Sequence, residues 1–217
     1  MPSAPCKDNH RIDYFGKSAP YYDTILGLLT FRQYAQFQKR AMKVLAPQPG
    51  ENILDLCSGT GRVASWIARA VGEEGEVLGM DASKSMVEFA KRRYGELKKV
   101  VFLHKDVTKP WDYQNYFDGI FASYAIHELP EKKRVEVFEY SFRALKEKGR
   151  MVIADFNPQV SGIGKPILLA FFKLFERDNL NVFSFDQNEM LKKVGFKGIE
   201  TFPVLRGIFQ ITLAQKN

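Results

Sequence analysis

The chain has 217 residues, 45% of them hydrophobic and 26% charged, which fits one globular domain with its own core and excludes disorder, collagen and coiled coil as overall descriptions. Its net charge of +7 is uneven: the first 50 residues carry seven Lys/Arg against three Asp, whereas the middle of the chain is close to balance. A basic end of this kind is either a solubilising surface or a footprint for an anionic partner such as a membrane.

Two cysteines, Cys6 and Cys57, stand at no metal-ligand spacing, so neither a disulfide framework nor a metal centre is expected. No apolar run approaches the ~18–20 residues of a membrane span. Residues 1–20 lack the apolar stretch of a secretory signal, and the expected location is cytoplasmic.

In chain order, residues 21–45 have helical periodicity, broken near 27–30 and ended by Pro47, Pro49 and Gly50. Residues 1–46 read as a helical cap segment and 47–217 as the main domain. An alternation follows: strand 52–56, helix 62–71, strand 76–81, helix 83–98 with Ser83 as N-cap, strands 100–105 and 117–124, helix 131–145, strand 150–156. Strands alternating with helices of this length predict right-handed βαβ units on a parallel sheet. The end departs from the rhythm. After apolar helix 163–177 and short helix 186–194, strands 198–204 and 208–214 are joined by only Leu205-Arg206-Gly207. That spacing is a hairpin, so the last strand must be antiparallel to its predecessor.

The chemistry concentrates behind the first strand. Gly59-x-Gly61-x-x-Ala64 follows it, and Asp81 stands 20 residues after Gly61 at the end of the second strand. Strand, glycine loop, helix and distal acid form a nucleoside-binding arrangement, with the acid available to ribose hydroxyls. A dinucleotide would place its pyrophosphate beside Asp55, which is unfavourable. S-adenosylmethionine has no phosphate and carries an ammonium that suits Asp55. Asp106 and Val107, after the third strand, can take the adenine amine and face; Ala82 and Met86 can pack on the ring.

The stretches ILDLCSGTGRVA (53–64), VLGMDAS (77–83), KDV (105–107), FDGIFASYAIHELPE (117–131) and LKEKGRMVIADF (145–156) resemble, in order and spacing, the class I S-adenosylmethionine-dependent methyltransferases. The resemblance implies a Rossmann-like α/β fold with a seven-stranded sheet in the order 3-2-1-4-5-7-6 and an antiparallel last strand. It implies S-adenosyl-L-methionine as cofactor, and a donor site that also takes in Cys57, Ser58 and Ser123. Within that class the chain resembles the ubiquinone/menaquinone biosynthesis C-methyltransferases, through the Tyr22-Asp23 segment, MKVLAPQPGENILDL and the terminal hairpin. It departs from them at His127-Glu128, where that family has Arg-Asn, and in the loop Cys57-Ser58-Gly59-Thr60-Gly61-Arg62.

Transfer to a ring carbon or phenol needs a base, and His127, after the fourth strand, is the histidine placed for it. A cap on the following helix is its structural alternative. Tyr21, Tyr22 and Tyr124 are candidate walls for the acceptor. The helix around PILLAFFKLF (166–175), with Phe171 and Phe172, is apolar nearly all round. It is buried core, a homodimer interface or a lid over a lipophilic acceptor. The leading expectation is therefore methylation of a lipophilic small molecule, with a quinone precursor in front. A phospholipid amine N-methyltransferase and a non-catalytic donor-binding protein are the alternatives. No nucleic-acid partner is expected, since the aromatic-flanked Pro-Pro stretch of amino-methylating nucleic-acid enzymes is replaced by Ser123-Tyr124-Ala125-Ile126. Peripheral docking on an anionic membrane is expected from the basic N-terminal segment.

Overall fold

The computed structural model describes residues 33–162 and 186–217, together with 21, 165, 166, 168 and 169. Its elements are α1 (Gln33–Leu45), β1 (Asn52–Leu56), α2 (Arg62–Val71), β2 (Glu76–Asp81), α3 (Lys84–Tyr94), β3 (Val100–His104), β4 (Phe117–Ser123), a 3-10 turn (Ile126–Glu128), α4 (Glu131–Ala144), β5 (Leu145–Phe156), α5 (Gln187–Val194), β6 (Lys197–Val204) and β7 (Phe209–Gln215). Among the described residues the strands form one sheet in the order β3-β2-β1-β4-β5-β7-β6. β1 to β5 pair in parallel, and β7 runs antiparallel to both β5 and β6. The order is the one that the family resemblance implies, and the antiparallel closure is the one that the hairpin spacing predicts.

The sheet is buried on both faces, which is why its central strands are apolar almost throughout rather than alternating with polar residues. Alternate residues then serve opposite cores. Leu54, Leu56, Ile120, Ala122, Met151 and Ile153 join the core that contains Val137 and Phe138 of α4 and Leu191 of α5. Ile53, Phe121, Val152 and Ala154 join the other, with Phe37 of α1, Val63 and Ile67 of α2 and Val87 of α3. Burial of one such side chain contributes roughly 1.5–3 kcal/mol.

Several boundaries differ from the sequence reading. α3 stops at Tyr94, where Gly95 caps it by donating to the Lys91 carbonyl. β4 ends at Ser123 because Tyr124 has a positive φ of 52°. β5 begins at Leu145, five residues early, across an irregularity opposite Phe117–Gly119, with Lys148 at φ 63°. The Ser83 cap forms as predicted, accepting from the Met86 amide, and Asp186 proves to be the N-cap of α5, accepting from the Glu189 amide.

The C-terminus of α1 is fixed to the sheet by Arg150. Its guanidinium donates to both Glu51 carboxylate oxygens, at 2.9 and 2.6 Å, and to the Leu45 and Ala46 carbonyls. The helix thereby lies against β4, β5 and β7, its C-terminus at the amino ends of the strands and Gln38, nearer its N-terminus, bonded to Ser123 at the carboxyl end of β4.

Candidate functional site

In a parallel sheet the crevice beyond the carboxyl ends of the strands is where ligands gather, at the point where strand order reverses. Here that point lies between β1 and β4. The register pairs Leu56 with Ala122 and Ser123 with Ala154, so Cys57, Ser123–Tyr124 and Asp155 come side by side at the strand ends.

The glycine loop is shaped by backbone conformations that side chains resist. Gly59 and Gly61 have φ of 52° and 76°. Their roles separate once the missing Cβ is considered. At Gly61 a Cβ would strike the Phe102 ring at 2.7 Å and Ala90 at 2.8 Å, so this glycine lets α2 pack on the sheet. At Gly59 it would meet nothing within 4 Å, and the space there is open to a ligand. Asp81 holds the loop: Oδ2 accepts from the Gly59 amide at 2.7 Å and Oδ1 from the Ser83 amide at 2.8 Å. Each oxygen keeps a further lone pair. Burial raises the Asp81 carboxyl above its usual range, with the Ser83 and Gly59 amides and His104 opposing.

Asp55 is buried at the end of β1. Its Oδ2 and the Ser58 hydroxyl have no hydrogen-bond partner among the described residues. Burial first, and then the charge of Asp81, push the Asp55 carboxyl up to about 8, while the Ala64 amide pulls the other way. Two orphaned polar atoms beside an open glycine are what a cationic, hydrogen-bonding ligand would satisfy. The residues therefore fit the α-ammonium end of S-adenosylmethionine. Cys57, at φ 54°, has its thiol raised by burial and by the surrounding carboxylates of Asp81, Glu128, Asp55 and Asp106, so it stays neutral.

The remaining predicted donor residues take up the same rim. Asp106 makes a local turn in which Oδ1 accepts from the Thr108 amide and hydroxyl at 2.9 and 2.7 Å. Val107 and Met86 are buried and Ala82 half-buried. The Ser123 hydroxyl accepts from Gln38 Nε2 at 3.0 Å.

Gln38 was not legible as a site residue. It is buried on α1, bonds Tyr34 as well as Ser123, and its amide oxygen accepts from Arg62 Nη2 at 2.6 Å. One side chain thus ties the cap helix, the start of α2 and the end of β4.

His127 lies on the 3-10 turn after β4, 3% exposed. Its Nδ1 is 2.6 Å from Asp155 Oδ1, and its own amide donates to Asp155 Oδ2 at 3.0 Å. The His127 charge, its ring bond and two amides hold the Asp155 carboxyl below the usual range despite an opposing burial effect, the largest single influence on it. Arg134 of α4 fixes the turn from behind, donating to the carbonyls of Ile126 and His127 at 2.9 and 2.8 Å.

An aromatic cluster reaches the imidazole through Phe156. Phe156 meets it edge-on with centroids 4.9 Å apart and stacks on Phe209 at 4.9 Å. Tyr124 touches Tyr34, Phe37, Phe156 and Phe209 within 4.8–5.7 Å. The sequence pointed to Tyr124 and missed the other four, which come from α1, β5 and β7. Tyr21 is 67% exposed. Tyr22, Phe171 and Phe172 lie outside the described residues. No group of three or more potential metal ligands occurs among the described residues.

Comparison with known proteins bears on the fold and the family. Residues 53–149 match the model of the family described as methyltransferase domain. The demethylmenaquinone methyltransferase of Staphylococcus saprophyticus subsp. saprophyticus is 24% identical, the match covering 94% of this chain and 95% of that one. Its counterpart from Listeria welshimeri is 28% identical over 73% of this chain and 67% of its own. A crystal structure of a SAM-dependent methyltransferase from Aquifex aeolicus superposes with a TM-score of 0.66 at 20% identity, covering 93% and 98% of the two chains. Residues 53–149 thus carry a methyltransferase domain, and the whole chain is similar to S-adenosylmethionine-dependent methyltransferases, demethylmenaquinone methyltransferases among them.

Proposed function

We propose that the protein methylates a ring carbon of an apolar hydroquinone-type molecule and that His127 is the base. The observation that carries this reading is the buried His127–Asp155 pair, 2.6 Å apart, reached through Phe156 by an aromatic cluster at the carboxyl ends of β4 and β5. Demethylmenaquinone methyltransferases among the relatives support a quinone acceptor.

When bound, S-adenosylmethionine supplies a methyl group on a positively charged sulfur with an excellent leaving group. The chain has to bind, orient and exclude water. Asp55 and Ser58 would hold the amino-acid end through the atoms that now lack partners. Asp81 would use its remaining lone pairs for the ribose hydroxyls, and Asp106 its second oxygen for the adenine amine, with Ala82, Met86 and Val107 against the ring. The neutral Cys57 thiol and Ser123 would line the floor. Tyr124, Phe156 and Phe209 would stack against the acceptor ring. His127 would take the proton that the acceptor loses as the methyl bond forms.

The lipophilic character of the acceptor is also the reading we give to the basic face. Lys39, Arg40 and Lys43 are exposed on α1, the helix whose Gln38 reaches Ser123, and they would favour an anionic bilayer. No helix among the described residues is long and apolar enough to cross a membrane, so the contact would be peripheral.

The test is product identification. Radiolabelled donor, the protein and a short-chain demethylmenaquinol should give a menaquinol labelled on the ring carbon. Label on oxygen, or transfer only to an amine headgroup such as phosphatidylethanolamine in a parallel reaction, overturns the proposal.

A further inference from the structure

We infer that Asp155 is the positioning residue that sets the protonation state and ring orientation of His127. This rests on the reading of His127 as the base. The carboxylate spans the gap between β5 and the 3-10 turn and grips its neighbour twice. Oδ1 binds the ring at Nδ1 and Oδ2 the main-chain amide, while Oδ1 also accepts from the Phe156 amide at 2.8 Å. An ionised carboxylate can only accept, so the proton of a neutral imidazole belongs on Nδ1. Nε2 is then the nitrogen on which an acceptor's proton would arrive. Once it does, the imidazolium formed in a buried site has its counter-charge already in place. Rotation of the ring would break the Nδ1–Oδ1 bond in a buried setting, and the bond to the main-chain amide holds the carboxylate in place to make it.

The other charged groups facing His127 do not duplicate this. Arg134, from α4, binds carbonyls and opposes a positive ring. Glu128, the next residue on the same turn, is exposed. Asp155 is the carboxylate that β5 contributes, and Asn at this position would keep the shape while presenting an amide group to one of the donors it now satisfies.

The experiment is imidazole nitrogen NMR on the full chain. The chain has three histidines, and His127 is assigned by the signal lost in His127→Gln. In the wild type the neutral ring should carry its proton on Nδ1. In Asp155→Asn it should titrate at least about one pH unit lower or switch tautomer. Turnover on the short-chain demethylmenaquinol should fall tenfold or more, with affinity for S-adenosylhomocysteine unchanged. An Nε2–H tautomer in the wild type overturns the inference even if Asp155→Asn does not fold. So does an unaltered titration in the folded variant. A shifted titration with full turnover instead sinks His127 as the base and leaves the clamp standing.

Discussion

At the scale of single residues, Asp55 makes the sharpest claim. Its carboxyl is raised to about 8, so at neutral pH it is largely protonated in the free protein. An ammonium placed beside it favours the charged form. Binding of S-adenosylhomocysteine should therefore release close to one proton near pH 7, and less as pH rises past about 8. Calorimetry in two buffers of different ionisation heat reads this directly, and no proton release contradicts it. The same raised value has a stability sign. The folded state holds a proton that the unfolded chain gives up near pH 4, so this group's contribution is greatest below about pH 4 and is lost as pH rises towards 8. Asp55→Asn should flatten that decline in thermal melts while weakening donor binding.

Gly59 and Gly61 predict opposite phenotypes for the same substitution. Gly61→Ala forces a Cβ into Phe102 and Ala90 at a positive φ, and should lower stability by at least about 2 kcal/mol in denaturant melts. Gly59→Ala has open space for its methyl group. It should lose less stability and lose donor affinity instead. Equal destabilisation with unchanged affinity would refute the division of roles. Asp55, Gly59, Asp81 and His127 were legible because chemistry demands their residue types at fixed places after strands. Asp155 was not, because a lone acid ending the apolar run MVIADF shows its meaning only when β4 and β5 are in register. The signal available was a charge placed within the apolar half of the strand, Met151–Phe156, away from the charged residues at its start.

Elements tell a similar story. The strands and their helices were legible from period and spacing, and the hairpin of β6 and β7 fixed the antiparallel closure. The ends were not. α3 reads through to Lys98 by composition but is stopped at Gly95. The start of β5 hides in Leu145-Lys-Glu-Lys-Gly-Arg150, which reads as a turn and instead forms an irregular strand edge. The role of α1 as part of the site was also hidden, since Gln38 is an ordinary polar residue in sequence. The helix depends on Arg150, whose removal would take the guanidinium donor from the Leu45 carbonyl and leave Glu51 and the Ala46 carbonyl to the donors of Gln48. Arg150→Ala should cost about 1–3 kcal/mol and loosen α1. Hydrogen exchange should show the loss of protection concentrated in residues 33–45; a uniform change along the chain would count against it.

For the whole molecule, the seven-stranded sheet places the proposed donor residues at the ends of β1, β2 and β3 beside the aromatic cluster at the ends of β4 and β5 and the start of β7 that is proposed to hold the acceptor. The central claim is that one imidazole at that junction accepts the proton. Its most direct measurement compares wild type with His127→Gln, in labelled methyl transfer to a short-chain demethylmenaquinol across pH, alongside S-adenosylhomocysteine affinity. General-base help is worth about 10²–10⁴ in rate. The account predicts a fall of at least about a hundredfold in kcat, loss of the rise in rate with pH, and unaltered donor affinity. Turnover retained within a few-fold across pH, or a loss explained wholly by weaker donor binding, would contradict it.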